Sequence, residues 1–209
     1  MTVIDAISKC TKTPNDLDFN NFAYETPKEW VDCVQLHFSS FLADHASNER
    51  KAAAAAMDFV VRYPNLTDLV SFVSNVAQQE ILHFRNLFSR MLKSNFKLLP
   101  DQKSYYTLQM QGAVRTSSKD RLMDRILISA IFEKRGQERF QLLSKHHDSS
   151  DWRIFYQDLY LSEQGHWYGY LDQALKLFEF EDLKSRWAQL CTLESQILKS
   201  TPLNERLFP

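Results

Sequence analysis

Glycine and proline are scarce, four and six in 209 residues. So few turn-formers exclude a sandwich or barrel built of many short strands. Cysteine is scarcer still: Cys10, Cys33 and Cys191 form an odd set without C-x-x-C spacing, so neither a disulfide framework nor a zinc or iron–sulfur site is indicated. No apolar run approaches the roughly 18 residues that a membrane span needs. Within Met1 to Asp16, Asp5 and alternating polar residues stand where a signal peptide would be continuously apolar. The expectation is a cytoplasmic protein, neither exported nor inserted, with no membrane partner. A net charge of -1 shows no overall excess that would attract DNA or another polyanion.

What is present is apolar and aromatic: 44% hydrophobic residues, with fifteen Phe, eight Tyr and four Trp. A chain of this length buries roughly 70% of its unfolded surface as one domain. Residues 1–209 are read as a single domain, with a bundle over about 26–180 and an extra helix over about 182–199. Thr26-Pro27-Lys28-Glu29 reads as a capping box opening a first long helix that Pro64 ends, with Ser47 and Asn48 near its middle as a possible break. A second helix runs from about Asp68 to Lys93, and Ser94 to Ser118 is a longer connection with a short helix from Tyr105 to Val114. Ser117 and Ser149 cap a third and a fourth long helix, ending near Lys145 and Phe178. The fold class predicted is all-α: a four-helix bundle with additional short and C-terminal helices.

Each long helix carries an apolar stripe, and at the middle of each stripe a metal-binding side chain replaces a hydrophobe. Glu49 interrupts the first. Glu80 and His83 interrupt the second, Glu133 the third, and Glu163 with His166 the fourth. An unpaired carboxylate in a helix core costs several kcal/mol, so four at one level require a common counter-charge. E-x-x-H occurs twice, placing carboxylate and imidazole one turn apart on one face. Glu49 precedes Glu133 by 84 residues, and Glu80 and His83 precede Glu163 and His166 by 83. This is a cryptic duplication of a helix pair, and it is the ligand set of di-iron or di-manganese carboxylate bundles. Oxygen and imidazole donors without thiolate favour iron or manganese.

Glu138 is the rival to Glu133, about 140° further round the helix, with Lys134 as its surface partner. The alternative reading of Glu133 is an ion pair with a neighbouring arginine such as Arg135. His45 shares the Glu49 face, either as a group supporting that ligand or as a hydrogen-bonded core histidine. His37, His146 and His147 have no partner spacing.

Asp44-His45-Ala46 with Glu49, Lys51-Ala52-Ala53, Glu80-Ile81-Leu82-His83-Phe84, Glu133 through Phe140, and Ser162-Glu163 with His166 together resemble a known family. Its members are non-haem di-iron monooxygenases that hydroxylate the isopentenyl side chain of 2-methylthio-isopentenyl-adenosine in tRNA, next to the anticodon. Departures fall at Gln79, where the family often has an acid, at Lys134-Arg135-Gly136-Gln137, and at Gln164-Gly165, where an arginine is missing. The resemblance implies a ferritin-like fold, two iron ions rather than manganese, O2 as co-substrate, tRNA as substrate, and an external electron donor of reductase or ferredoxin type. Gly136 and Gly169, each three residues beyond a ligand, are candidates for making room for a prenyl-sized group. The alternative function is a ferritin-like iron- or peroxide-handling oxidase of the rubrerythrin or ferroxidase type, which has these ligands and no RNA substrate.

The charge balance is uneven along the chain. Residues 84–145 hold thirteen Lys or Arg against five Asp or Glu. Arg85, Arg90, Lys93, Lys97, Lys103, Arg115, Lys119 and Arg121, followed by Arg125, are the candidates for RNA phosphate contacts, with Tyr105 and Tyr106 as stacking surfaces.

Overall fold

A computed structural model describes residues 12–17 and 22–209, so Cys10 and most of the N-terminal segment lie outside the described residues. A 3-10 turn at Pro14–Asp16 precedes seven helices: α1 (Glu29–Leu36), α2 (Phe38–Arg62), α3 (Thr67–Lys93), α4 (Tyr105–Gly112), α5 (Ser118–His146), α6 (Ser150–Leu177) and α7 (Phe180–Ser200). No strand occurs among the described residues, and no helix there is long and apolar enough to cross a membrane. α2 and α3 pack along their length as one pair and α5 and α6 as another, with α3 against α6 joining the pairs. The turns of a few residues within each pair make the partners antiparallel neighbours.

Three local expectations change, one being that Ser149, which stands at the start of α6, makes no side-chain cap bond. The first helical run breaks at His37 (φ -121°, ψ 37°), not at Ser47 and Asn48. The helix runs through both, because each side chain is held in a hydrogen bond compatible with it. Ser47 Oγ donates to Asp101 (2.6 Å), and Asn48 Nδ2 to the Asp44 carbonyl and carboxylate (2.9 and 3.0 Å). Thr26 is no helix cap either: α1 begins at Glu29, and the Thr26 amide and hydroxyl donate to Glu138 at 2.8 and 2.9 Å. Ser117 does cap α5, accepting from the Asp120 amide (3.2 Å), and Ser104 caps α4 through the Thr107 amide (2.9 Å). At the end of α3, Asn95 takes a positive φ of 60°, and the Phe96 amide returns to the Met91 carbonyl at 2.9 Å. This Schellman arrangement stops the helix and starts the connection toward α4.

The core runs through the bundle, with Phe41, Leu42, Val73, Leu87, Ile126, Leu127, Tyr156 and Leu171 nearly inaccessible. α7 closes one side with Leu183, Trp187, Leu190 and Leu198. It also buries Glu194, which takes two hydrogen bonds from Arg135 (2.7 and 3.0 Å) and one from Tyr106 Oη (3.1 Å). Arg135 thus points toward α7 rather than pairing with Glu133, and its remaining donors reach the Tyr24 carbonyl and Glu138.

Candidate metal centre

One turn of each long helix meets its counterparts at mid-bundle. α2 contributes Glu49, α3 Glu80 and His83, α5 Glu133, and α6 Glu163 and His166; the i, i+3 spacing turns each Glu and His pair to the same face. Ligand atoms of Glu49, Glu80, His83 and Glu163 all lie within 4.8 Å of one another, and so do those of Glu80, Glu133, Glu163 and His166. Glu80 and Glu163 belong to both sets. The arrangement is a pair of adjoining sites with two carboxylates between them, Glu49 and His83 on one flank and Glu133 and His166 on the other.

The histidines face inward through Nδ1. His83 Nδ1 lies 3.3 Å from Glu163 and 3.5 Å from Glu49, and His166 Nδ1 lies 2.8 Å from Glu80 and 3.0 Å from Glu163. Their Nε2 atoms are held outside the cluster. His166 Nε2 lies 2.6 Å from Gln79 Oε1 and His83 Nε2 lies 3.0 Å from Ser162 Oγ. An imidazole whose outer nitrogen donates to such an oxygen presents the lone pair of the other nitrogen to a metal. His45 supports Glu49 in the same manner: Nε2 sits 2.6 Å from Glu49 Oε1, and Tyr156 Oη is 3.4 Å from Nδ1.

Crowded carboxylates out of water need positive charge. Burial, then Glu163, Glu133 and Glu49, push Glu80 well above the ordinary carboxylate range; burial and Glu163 push Glu133 up to about 8. Burial acts the same way on Glu49 and Glu163, but hydrogen bonds from His45 and His83 to the first, and from His166 and His83 to the second, hold both well below it. Burial opposes the charge on His83, yet Glu163 and Glu49 raise it to about 10, and His166 is raised further. In the metal-free protein, protons supply the counter-charge. Even so, Glu49 Oε2, Glu80 Oε1 and His83 Nδ1 are buried without a well-formed hydrogen bond. Buried polar atoms normally make well-formed hydrogen bonds; three that make only ion-pair contacts, within two adjoining clusters of oxygen and imidazole donors, fit a pair of divalent ions.

A cavity of about 440 Å³ reaches this cluster from outside, within the ~300–1,000 Å³ range of small-molecule sites. All four carboxylates line it and neither histidine does, so it opens on the carboxylate side of the centre. Ala52, Ala55, Phe132, Phe140, Leu207 and Phe208 make much of its wall, and Asn48, Lys51, Gln102, Lys103 and Gln111 add polar groups. Gly136 is part of the wall and Gly169 is not. A Cβ built at Gly136 meets nothing closer than 4.0 Å, whereas one at Gly169 collides with the Phe72 ring. Gly169 therefore lets α6 approach α3, which corrects its assignment to the pocket.

Several other sequence candidates fall elsewhere. Glu138 sits with Thr26 and Arg135, outside the cluster, and Lys134 lies over the Trp167 ring (4.4 Å) instead of pairing with it. Arg115 is engaged by Asp124 at 2.8–3.2 Å and by Asp120 at 3.1 Å, which makes it a strut between the connection and α5 rather than a free phosphate contact. Arg90 is half-buried over Phe155 (4.8 Å), Arg121 donates to the Thr116 carbonyl, and Arg125 pairs with Asp58. Tyr106 is fully buried and unavailable for stacking, while Tyr105 is exposed. Arg85, Lys93, Lys97, Lys103, Lys119 and Arg121 are exposed. Sequence reasoning missed Gln79 and Ser162 as supports for the histidines, though each immediately precedes a shared glutamate and the pair obeys the same offset of 83 residues. It also missed the segment after α7, which has no periodicity to reveal its place in the cavity wall.

The bundle and its centre are of the ferritin-like type. A solved structure described as "Protein 43 with aldehyde deformylating oxygenase activity from Synechococcus" superimposes with a TM-score of 0.84 at 28% identity, covering 89% of this chain and 94% of that one. Residues 15–208 match the family described as "tRNA-(MS[2]IO[6]A)-hydroxylase (MiaE)", and the chain belongs to that family. A relative from Pseudomonas putida, the tRNA 2-(methylsulfanyl)-N(6)-isopentenyladenosine(37) hydroxylase, is 29% identical over 183 residues, 88% of either chain. The protein of the same name from Salmonella typhimurium is 30% identical over 123 residues, 59% of this chain and 45% of that one.

Proposed function

We propose that the protein is a non-haem di-iron monooxygenase of the cytoplasm that hydroxylates the isopentenyl side chain of 2-methylthio-N6-isopentenyl-adenosine in tRNA, next to the anticodon. O2 is the co-substrate, and an external reductase- or ferredoxin-type donor supplies the electrons. The observation that carries this reading is the cavity that leads to four carboxylates in a member of this family. Glu49 and His83 would hold one iron, Glu133 and His166 the other, with Glu80 and Glu163 between them. The chemistry the bound pair supplies is reductive activation of O2 and transfer of one oxygen atom to a C–H bond.

The chain's own contribution is geometry and exclusion of water. Gln79, Ser162 and His45 orient the ligands. Ala52, Ala55, Phe132 and Phe140 give a hydrocarbon chain an apolar path to the carboxylates, while Asn48, Gln102 and Gln111 offer hydrogen bonds to a purine and Lys51 and Lys103 offer charge to phosphate. Exposed Arg85, Lys93, Lys97, Lys119 and Arg121 are the further phosphate contacts of this reading. An oxidase acting on iron or peroxide alone has no use for an apolar cavity of this size, which favours the organic substrate.

The test is paired. Purified protein should contain two irons per chain, and tRNA from cells lacking the gene should lose the hydroxylated isopentenyl nucleoside. An unchanged nucleoside profile would refute the substrate, and iron-free active protein would refute the centre.

A further inference from the structure

Residues 201–209 follow α7 without regular structure, yet Leu207 and Phe208 are buried (3% and 8% exposed) and both line the cavity. A non-helical strap is buried at low cost only where its backbone polar groups are paired, and those of Arg206 and Leu207 are. The Leu207 amide donates to Asp44 (2.9 Å), the Arg206 carbonyl accepts from Arg139 (3.0 Å) and Trp30 Nε1 (3.3 Å), and the Leu207 carbonyl also accepts from Arg139. The Pro209 carbonyl accepts from the Tyr106 amide (2.7 Å) and Ser104 Oγ (3.2 Å) at the start of α4. The Arg206 side chain binds Asp44 (3.0 Å) and the Lys103 carbonyl (2.7 Å). The strap is thereby fastened to α1, α2, α4, α5 and the connection whose Gln102 and Lys103 line the cavity.

This fastening fixes one side chain against the chemistry. The Phe208 ring packs against both Tyr106 (centroids 5.5 Å, planes 17°) and Phe132 (5.4 Å, 28°), which also touch each other (5.3 Å). Its tip, Cζ, would lie 4.0 Å from a Cβ at Gly136, three residues beyond Glu133 on α5. The space that Gly136 leaves open beside the centre is therefore bounded by Phe208.

We propose that Phe208 is a specificity-determining residue: together with Gly136 it closes the part of the cavity beside Glu133 and sets the length of the allylic hydrocarbon chain that fits against the carboxylates. The inference rests on the hydroxylase reading above. On this proposal the boundary admits a five-carbon branched chain and turns away a ten-carbon one. Replacing the ring by a methyl group opens the boundary without touching any metal ligand.

The experiment has two arms, applied to wild type and to Phe208→Ala, Phe208→Leu and Phe208→Trp. In the first, N6-isopentenyl-adenosine and its ten-carbon geranyl analogue are titrated into protein prepared without metal, and binding is read calorimetrically. In the second, iron content is measured, and kcat/KM and the position of hydroxylation are determined on tRNA carrying either chain. Phe208→Ala should shift the five- to ten-carbon preference by about tenfold or more in both arms, the scale of discrimination that one apolar pocket group provides. Phe208→Leu should fall between the two, and iron content should stay at the wild-type level. Should Phe208→Ala fold poorly, Phe208→Trp carries the test, because the larger ring leaves no void and should weaken the five-carbon ligand. Wild-type discrimination retained by Phe208→Ala, or five-carbon affinity and turnover unchanged in Phe208→Trp, would overturn the assignment while leaving the hydroxylase reading intact. If wild-type protein neither binds nor hydroxylates the five-carbon chain, the hydroxylase reading fails and the Phe208 assignment falls with it.

Discussion

His166 on α6 points its outer nitrogen at the side-chain oxygen of Gln79 on α3, 2.6 Å away. The relationship is repeated in reverse by His83 and Ser162 at 3.0 Å, so the residue before each shared glutamate orients the histidine of the opposite helix. Removing such a partner commonly costs 10- to 100-fold in metal affinity. Gln79→Ala should weaken one of the two irons by about that factor and leave the other nearly unchanged, as read by titration with Fe(II). Gln79→Glu, which keeps an acceptor at this position, should retain both. Equal weakening of both irons, or of neither, would contradict the assignment of Gln79 to one flank.

Proton release should accompany metal uptake. Glu133, raised to about 8, and His83, raised to about 10, both carry protons at pH 7 in the metal-free protein and must lose them to bind a cation. Apparent affinity should therefore rise with pH from 6 toward 8, and calorimetry in buffers of different ionisation enthalpy should register the released protons. The stability of the metal-free protein runs the other way. The folded state holds the Glu133 proton above 4.5 and the His83 proton above 6.5, where the unfolded chain has lost them, so stability falls as pH rises through these values toward about 8 and about 10. Loaded protein should not show this fall. Metal uptake without proton release would contradict the charge balance described for the cluster.

Much of the centre was legible in the sequence because polar residues at core positions of a 3.6-residue period leave few physical explanations. Glu49, Glu80, His83, Glu133, Glu163 and His166 were named from that pattern, and the structure brings all six together. The same local reasoning could not tell which small residue faces a cavity. Gly136 and Gly169 stand in equivalent places in their helices, and only the neighbouring helix, through Phe72, separates their roles. Arg115 and Tyr106 were misplaced for a related reason: a basic or aromatic residue in a connection looks exposed until its partners, Asp124 for one and Glu194 for the other, are found far along the chain or on another element. The break at His37 was missed because Ser47 and Asn48 have the stronger intrinsic tendency to interrupt a helix; in the fold Ser47 is held by Asp101 and Asn48 bonds back one turn to Asp44, and the helix runs through both.

The two glycines give a clean contrast. Gly169→Ala places a methyl group against the Phe72 ring and should destabilise by about 1–3 kcal/mol, seen as a lower Tm with iron binding retained. Gly136→Ala should be tolerated. Gly136→Leu should intrude into the cavity beside Glu133 and abolish turnover while two irons stay bound. Full turnover in Gly136→Leu would remove this wall from the substrate path.

Basic residues should divide into struts and contacts. Burial pushes the Asp124 carboxyl up, but Arg115 and Arg186 outweigh it and hold the group below the ordinary range. Its contribution is present above pH 3.8 and disappears as pH falls below that value. Asp124→Asn should cost about 1–3 kcal/mol, and Arg115→Ala should lower Tm, without changing the salt dependence of tRNA binding. Lys93→Glu with Lys97→Glu should do the reverse, weakening tRNA binding and flattening its salt dependence at unchanged Tm. Equal tRNA affinity in the Lys93 and Lys97 variant would remove this face from the RNA interface.

The most direct measurement is reconstitution. Protein loaded with two irons per chain is given a chemical or enzymatic electron donor, O2, and tRNA bearing 2-methylthio-N6-isopentenyl-adenosine, and the nucleosides are analysed by mass spectrometry. The account predicts that one oxygen atom, traceable to labelled O2, appears on the isopentenyl chain, and that Glu80→Ala and His83→Ala lose both the product and iron. Loaded protein that consumes O2 with intact substrate present and leaves the isopentenyl chain unmodified would contradict it.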